Sequence, residues 1–595
     1  MDNQNTRNMV LAGILTMVIL LGWDSAMRYF YPNANKPQPV AAAGQAPQAA
    51  DPKTAAKHTR EGGLTNAADI ALEARDLKAA LAAPGRVKIE APGLSGSINL
   101  TGALLDDLST NRHTAALDQG KGLQRIYSPA GTPAQQYAQF GWTMGDGAAP
   151  IALPNAQTVW TAPAGAKLTP QSPVTLSWDN AVGQTFTLTY AIDADYMLTV
   201  GQGVSNAGPT PVLLKPVAQL NRTDKTAALD SFNVHAGPFG AFGGVVSFSN
   251  NYSDVAEAGT VANPANPNWI GFTDIYWMST LIPEKTGASS DFRSLGNGIY
   301  IANLFYPQAA IGPGQQFSRV TKLFAGAKET SVLDRYEATG IPNFSLAIDW
   351  GWFRWFEKPI FGLLKWLFNS VGNFGGAIML LTLIVRGAMF PIAQKQFASM
   401  AAMKAIQPKM KAIQDRYKDD KQKQQQEVMA LYKAEGVNPL AGCLPIFLQI
   451  PVFFALYKVL ILAVEMRQQP FALWIKDLSA PDPMHILNLF GLLPFTVPSF
   501  LAIGVLALLL GITMFLQFKL NPAQMDPVQQ QVFAFMPWMM MFIMAPFAAG
   551  LLLYWITSNV LTIAQQAYLY SRHPQLKVQA DKDVVDHKHA KARGK

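Results

Sequence analysis

One arginine, Arg386, stands inside the apolar run Val371 to Ile392, which otherwise reads as a membrane-spanning helix. A guanidinium near the centre of a bilayer costs about 2.5–3.5 kcal/mol on insertion scales, so such a residue normally faces a wet cavity or a partner group. It can also snorkel to the headgroups. Toward the cytoplasmic side the next clearly polar residues are Gln394 and Lys395. At the helical rise they lie roughly 12 Å away, farther than one side chain reaches comfortably, which favours the cavity. Thr382, one turn earlier, shares a helix face with Arg386 and can line the same wet surface.

Of the 595 residues, 49% are hydrophobic and only 14% charged, against about 25% charged in a soluble globular chain. A membrane protein with room for a full soluble domain fits these values. The lone Cys443 excludes an internal disulfide framework, and its apolar surroundings suit packing. No His-x-x-x-His or paired-Cys spacing occurs in a plausible domain, and His573, His587 and His589 fall in or beside a basic tail. Neither a metal nor a cofactor is expected.

Along the chain, Met9 to Trp23 reads as a signal anchor, favoured over a cleaved signal because Ala41-Ala42-Ala43 lies too far downstream. Residues 1–31 form the anchor, and residues 32–80, rich in Ala, Pro, Gln and Asn, a flexible linker. From about Arg86 to Phe324 short alternating segments such as Val174 to Trp178, Thr185 to Ala191 and Tyr196 to Val200 argue for one large antiparallel β-sandwich, placed at 81–340. The glycine-rich stretch His235 to Gly244 reads as a turn-rich connection. Residues 341–370, with Trp350, Trp352, Trp355 and Trp366, suit an amphipathic helix on the outer membrane surface; a buried hinge is the alternative. Further apolar runs at Leu440 to Val464, Pro498 to Leu516, Val532 to Pro546 and Gly550 to Tyr568 bring the spans to six.

Residues 394–436 hold nine basic and five acidic residues, the tail after Tyr570 seven and three, and residues 32–340 twenty-one and twenty-three. The positive-inside rule then puts both termini and the 394–436 segment in the cytoplasm and the β domain outside. In that segment Phe397, Met400, Met403, Ile406, Met410, Ile413 and Tyr417 recur in steps of three or four. Asp419-Asp420 start a second helix that Gly436, Asn438 and Pro439 stop. A basic helical hairpin results, with Pro408 bending its first arm; Lys404, Lys409, Lys411, Arg416 and Lys418 suit an anionic membrane surface or ribosomal RNA. Base-specific readout, and so DNA, is not indicated.

Other hydrophilic residues at membrane depth are Gln449, Gln517, Ser558, Asn559 and Thr562. Any one of these can simply bond neighbouring backbone. Together with Arg386, and with no embedded acid, they suggest a hydrated cationic groove suited to acidic or polar peptide rather than a proton relay.

Leu381-Thr-Leu-Ile-Val-Arg-Gly, Gln407-Pro-Lys, Met429-Ala-Leu-Tyr-Lys-Ala-Glu-Gly-Val-Asn-Pro-Leu-Ala-Gly-Cys-Leu-Pro, Phe471-Ala-Leu-Trp-Ile-Lys-Asp-Leu-Ser, Asp526-Pro-Val-Gln-Gln and Leu553-Tyr-Trp-Ile-Thr-Ser-Asn carry a family signature. With them the chain resembles the YidC membrane protein insertases of Gram-negative bacteria along nearly its whole length. The resemblance implies a polytopic α-helical membrane protein with an uncleaved anchor, a periplasmic all-β supersandwich shaped like sugar mutarotases, and a five-helix insertase core (371–571) around a groove open to cytoplasm and lipid. It matches Arg386 and Thr382 to the groove, Ile450, Pro451 and Phe453 to substrate contacts of the third span, and Trp555 to the sixth span. The apolar face of the fifth span, with Ile543, would receive substrate as well. The hairpin recruits substrate in that family, and relatives work beside the Sec translocon and bind ribosomes, a contact that the basic tail 572–595 would suit. The stretch Leu489 to Ile503 is longer than in the best-known members, which sets Gln517 aside.

The function expected is insertion and folding of nascent inner-membrane proteins, alone or with the Sec translocon, among membrane lipids and without a covalent step. Two rivals are a secondary transporter of an anionic solute with a periplasmic capture domain, and an anchored carbohydrate-active enzyme. No convincing repeat supports the first. His113 and His235, the candidates for the second, have no recognisable catalytic surroundings.

Overall fold

The computed structural model describes residues 76–115, 122–227, 234–263, 265–284, 287–351, 354–417, 420–436, 444–490, 492–493, 502–520 and 527–572. The Met9 to Trp23 anchor, most of the linker and nearly all of the basic tail lie outside them.

Alternating sequence becomes alternating burial in the strand Gln184–Ile192, where every second side chain is buried. The strands between Arg86 and Ala327 form an eleven-stranded and an eight-stranded sheet. Among the named strands the pairings are antiparallel except that of Arg86–Glu90 with Lys167–Leu168. The sheets face each other across an aromatic core: Trp142 of one meets Phe186 of the other at 5.1 Å between ring centroids, and the Tyr190 hydroxyl donates to the Ala103 carbonyl at 3.2 Å. The central strand Val212–Thr223 runs between Gln136–Met144 and Ile299–Phe305 and is buried on both faces in its second half, where alternation disappears.

The glycine-rich segment differs from the expected connection. Gly237–Phe242 is a strand paired with Pro267–Thr273, and only Gly243 and Gly244, both at positive φ, make the turn. Phe239 and Ala241 are buried, while a Cβ on Gly240 would lie 2.8 Å from the Trp269 carbonyl oxygen, so the glycine permits close packing rather than a loop.

Three short helices accompany the sheets: α1 (Leu77–Leu81), α2 (Tyr252–Ala258) and α3 (Thr330–Ala338). After them come α4 (Arg354–Val371), α5 (Phe374–Ala388), α6 (Phe390–Arg416), α7 (Lys421–Ala434), α8 (Leu444–Leu462), α9 (Val505–Leu520), α10 (Pro527–Met544) and α11 (Ala549–Arg572). Among the described residues no helix is long and apolar enough to cross a membrane. The run Val371 to Ile392 is not one helix. Asn373 caps α5, its Oδ1 accepting from the Gly376 N–H at 3.0 Å, and the helix ends at Ala388 before α6 starts at Phe390. Similarly, α9 begins at Val505, later than the apolar run.

α4 turns Glu357, Ile360, Phe361, Leu364 and Leu367 inward at three- and four-residue steps, leaving Trp355 and Trp366 exposed on the opposite side. The hairpin forms from α6 and α7. Asp420 caps α7 by accepting from the Lys423 N–H at 3.0 Å, and the Tyr432 hydroxyl reaches the Met410 sulfur at 3.3 Å. The apolar stripe is therefore used, at least in part, between the two arms. Lys409 pairs with Glu435 at 2.5 Å and Arg416 is exposed. Lys418, and the side chains of Lys404 and Lys411, lie outside the described residues.

A polar junction joins the β domain to the helices. The Arg467 guanidinium donates to the carbonyls of Thr114 and Ala115 at 2.8 and 3.0 Å and lies over the rings of Trp277 and Tyr276. Nearby, Glu465 accepts from the Thr330 N–H at 3.1 Å and from Lys365 Nζ at 3.5 Å. Burial pushes its carboxyl up, and the Lys365 charge opposes that shift.

Two expectations follow. The buried Arg222 holds Asp274 through two hydrogen bonds of 2.8 and 2.6 Å; removing one partner of such a pair typically costs about 3–5 kcal/mol. Arg222→Ala should lower unfolding stability by that order, measured by denaturant unfolding followed through β-domain tryptophan fluorescence. Burial also pushes the Glu357 carboxyl from 4.5 up to about 7, against the pull of Lys458 and with the help of Asp349. The folded carboxyl holds its proton more tightly than the unfolded one, so this site's stability contribution falls as pH rises through that interval and then levels off. Glu357→Gln should flatten the difference in melting temperature across the same window.

Candidate groove site

Arg386 occupies the last turn of α5, not the middle of a continuous span. There the C-terminal end of the helix dipole favours a cation. Its Nε donates to Ser558 Oγ of α11 at 3.0 Å, and one terminal nitrogen also contacts that oxygen. Gln565 Nε2, two turns farther along α11, reaches the Arg386 carbonyl at 3.4 Å. Among the described residues no carboxylate pairs with Arg386. The guanidinium is thus anchored by a neutral hydroxyl and keeps its charge unneutralised.

The second polar contact joins α8 to α11. Gln449 Nε2 donates to the Tyr554 hydroxyl, while Gln449 Oε1 is buried without a partner among the described residues. Tyr554 is buried and lies one turn before Ser558 on the same helix face. Sequence reasoning passed over it, although its four-residue spacing from Ser558 was available as a signal.

The other candidates divide. Thr382 is buried and its hydroxyl donates to the Ile378 carbonyl at 2.7 Å, a back-bond within α5 rather than a contact with Arg386. Asn559 donates to Thr513 of α9 at 3.1 Å, so it clasps a different helix from its neighbour Ser558. Trp555 meets Phe453 edge to face with centroids 5.4 Å apart. Ile450 and Ile543 are exposed and Pro451 is half-buried. Arg386, Ser558 and Gln565 form one cluster, Gln449 and Tyr554 a second, and Phe453 and Trp555 an aromatic contact beside Ile450.

The histidines considered for chemistry have structural partners. His113 Nε2 lies 3.0 Å from Glu329 Oε1, and His235 Nε2 lies 3.0 Å from the Pro238 carbonyl. Burial pushes Glu329 up, yet hydrogen bonds from His113 and Tyr196 and the Arg112 charge hold it below its ordinary value. A cavity of about 440 Å³ in the β domain has Arg222, Asp274 and Trp277 among its lining residues.

Comparison with known proteins matches residues 366–576 to the family described as 60Kd inner membrane protein and residues 86–363 to the YidC periplasmic domain. These matches define the chain as an inner-membrane protein in which a helical region follows a periplasmic β domain. The membrane protein insertase YidC of Zymomonas mobilis is 42% identical over 577 residues, covering 96% of each chain. That of Rhizobium etli is 41% identical over 581 residues, again covering 96% of each. A solved structure titled as an active YidC insertase with its first transmembrane domain resolved is 18% identical, at TM-score 0.35, covering 83% of this chain and 95% of its own. The chain belongs to the YidC family of membrane protein insertases. It is accordingly an insertase and not an enzyme.

Hydrogen bonds to a charged group are worth about 1.5–3 kcal/mol. Ser558→Ala should lower the stability of the helical region by that order, measured as steric-trap or thermal unfolding in detergent, and Ser558→Thr should recover part of it.

Proposed function

We propose that this insertase receives polar segments of nascent inner-membrane proteins in a hydrated recess between α5, α8 and α11, open to the cytoplasm and to lipid. The single observation that carries the reading is the company of Arg386. Among the described residues the guanidinium is bonded only to a neutral hydroxyl and Gln449 Oε1 on a neighbouring helix has no donor, which leaves charge and acceptor capacity for water or passing peptide to satisfy. Crossing intact hydrocarbon would leave substrate backbone groups unsatisfied at several kcal/mol each, and a half-membrane recess shortens that path. The exposed Ile450 and Ile543, with Pro451, Phe453 and Trp555, offer the emerging helix an apolar face. Its partition into lipid drives the step.

In this reading the N-terminal anchor, α5, α8, α9, α10 and α11 cross the inner membrane, both termini are cytoplasmic and α4 lies along the outer surface. Exposed Leu383, Ile384, Phe454, Ile512, Phe515 and Phe542 support a lipid-facing belt. The 15 residues of α5 span roughly 22 Å. A bilayer of about 30 Å accommodates so short a helix by local thinning, which lowers the barrier further. The α6–α7 hairpin recruits substrate, with Lys404, Lys409, Lys411, Arg416 and Lys418 toward anionic lipid or the ribosome, and the tail 572–595 adds to the ribosome contact. Insertion with the Sec translocon belongs to the same proposal. Thr382 and Asn559 serve by holding α5 and α11 in place rather than by touching substrate.

The test is depletion of the chromosomal copy in cells carrying Arg386→Ala or Arg386→Lys, followed by insertion of a small single-span protein. Arg386→Ala should reduce insertion several-fold, while Arg386→Lys, which keeps charge and hydration, retains most of it. Normal insertion of every substrate by Arg386→Ala, with loss of insertion on removal of the β domain, would sink the groove reading.

A further inference from the structure

The chain between α8 and α9 carries a feature that the groove does not use. From Met484 to Leu493 it reads Met-His-Ile-Leu-Asn-Leu-Phe-Gly-Leu-Leu, without an acidic residue, lysine or arginine. Leu487, Leu489, Phe490, Leu492 and Leu493 are exposed by between 40% and 81% of their full surface. The β-domain turn at Asn297-Gly298 is built differently, from a polar side chain and glycine.

The projection is built, not frayed. At its root the Ile486 N–H donates to the Ile503 carbonyl at 3.0 Å and the Val505 N–H to the Met484 carbonyl at 3.2 Å. The buried Asp482 carboxylate gathers the Trp474 indole N–H at 3.0 Å, the Met484 N–H at 3.0 Å and the Leu506 N–H at 2.8 Å. A Cβ on Gly504 would lie 2.6 Å from the Asp482 Cβ, so the two arms of the root are in close contact. At the tip, backbone bonds run from Leu489 to Ile486, Phe490 to His485, Leu492 to Leu489 and Leu493 to Asn488, at 2.9–3.3 Å. Leu489 and Phe490 take left-handed backbone angles of 49° and 61°, uncommon for bulky side chains.

We infer that Leu487, Leu489, Phe490, Leu492 and Leu493 form an apolar wedge that enters the acyl region of the periplasmic leaflet. Three properties favour lipid as the occupant. The tip satisfies the backbone N–H groups of Leu489, Phe490, Leu492 and Leu493 itself, which lowers the cost of entering hydrocarbon. From Met484 to Leu493 it carries no acidic residue, lysine or arginine. It also joins two helices that the proposed function places across the membrane, so it starts at the bilayer surface. The inference rests on that placement.

The experiment uses the full-length chain in liposomes of phosphatidylethanolamine and phosphatidylglycerol, in a Cys443→Ser background. Leu492→Cys carries an environment-sensitive fluorophore, and Leu509→Cys on α9 serves as the span control. Nitroxides on the lipid acyl chains should quench the label at 492 several-fold more than aqueous iodide does, and Leu489→Ser should shift the balance toward iodide. Quenching by iodide alone at 492, with lipid quenching at 509, overturns the wedge and leaves the span placement standing. Iodide quenching at both positions overturns the placement itself. Shielding at 492 from both quenchers, varying with the protein-to-lipid ratio, assigns the surface to a second protein and overturns the wedge too.

Discussion

The contact between Arg386 and Ser558 sets the terms for the helical region. A guanidinium in apolar surroundings requires a partner, and the partner here is a hydroxyl that satisfies donors without cancelling charge. The stripe of α11 that supplies it, Tyr554, Ser558, Thr562 and Gln565, recurs at three- and four-residue steps and so faces one direction. One helix therefore brings polar groups to both α5 and α8. Thr562 closes its own hydroxyl onto the Ser558 carbonyl at 2.8 Å, which limits the polar surface left for others.

Both halves of the chain bury polar groups. In the β domain the buried Arg222 is locked by Asp274 and Gln136, and Lys328 donates to Thr273 at 3.0 Å while burial brings its amine down to about 8. Such locking suits a rigid body. Among the described residues no carboxylate pairs with Arg386 and Gln449 Oε1 lacks a donor, and in the β domain Arg222 Nε and Gln202 Oε1 are likewise without a partner.

Legibility in the sequence followed the range of the interaction. Period-two alternation located strands such as Gln184–Ile192, and the Asp419-Asp420 pair located the start of α7, because both signals are local. Alternation failed for Val212–Thr223, a central strand covered on both faces, and glycine content disguised Gly237–Phe242, whose glycines serve close packing. In the recess, Arg386 announced itself by cost alone. Hydropathy did not reveal that α5 stops at Ala388, nor that Thr382 bonds its own helix and Asn559 bonds α9. Neighbours in sequence, Ser558 and Asn559, belong to different helix pairs because one residue is about 100° of helical rotation.

The junction at Glu465 and Arg467 has a mechanical meaning. The segment that follows α8 grips the strand end at Thr114 and Ala115, the Trp277 ring and the start of α3, three places distant in sequence that converge on a few residues. The β domain is therefore tied to the segment after α8 by side-chain contacts as well as by the chain itself. A tilt of the sandwich would act through them on the segment next to α8, the helix that carries Gln449 and Phe453.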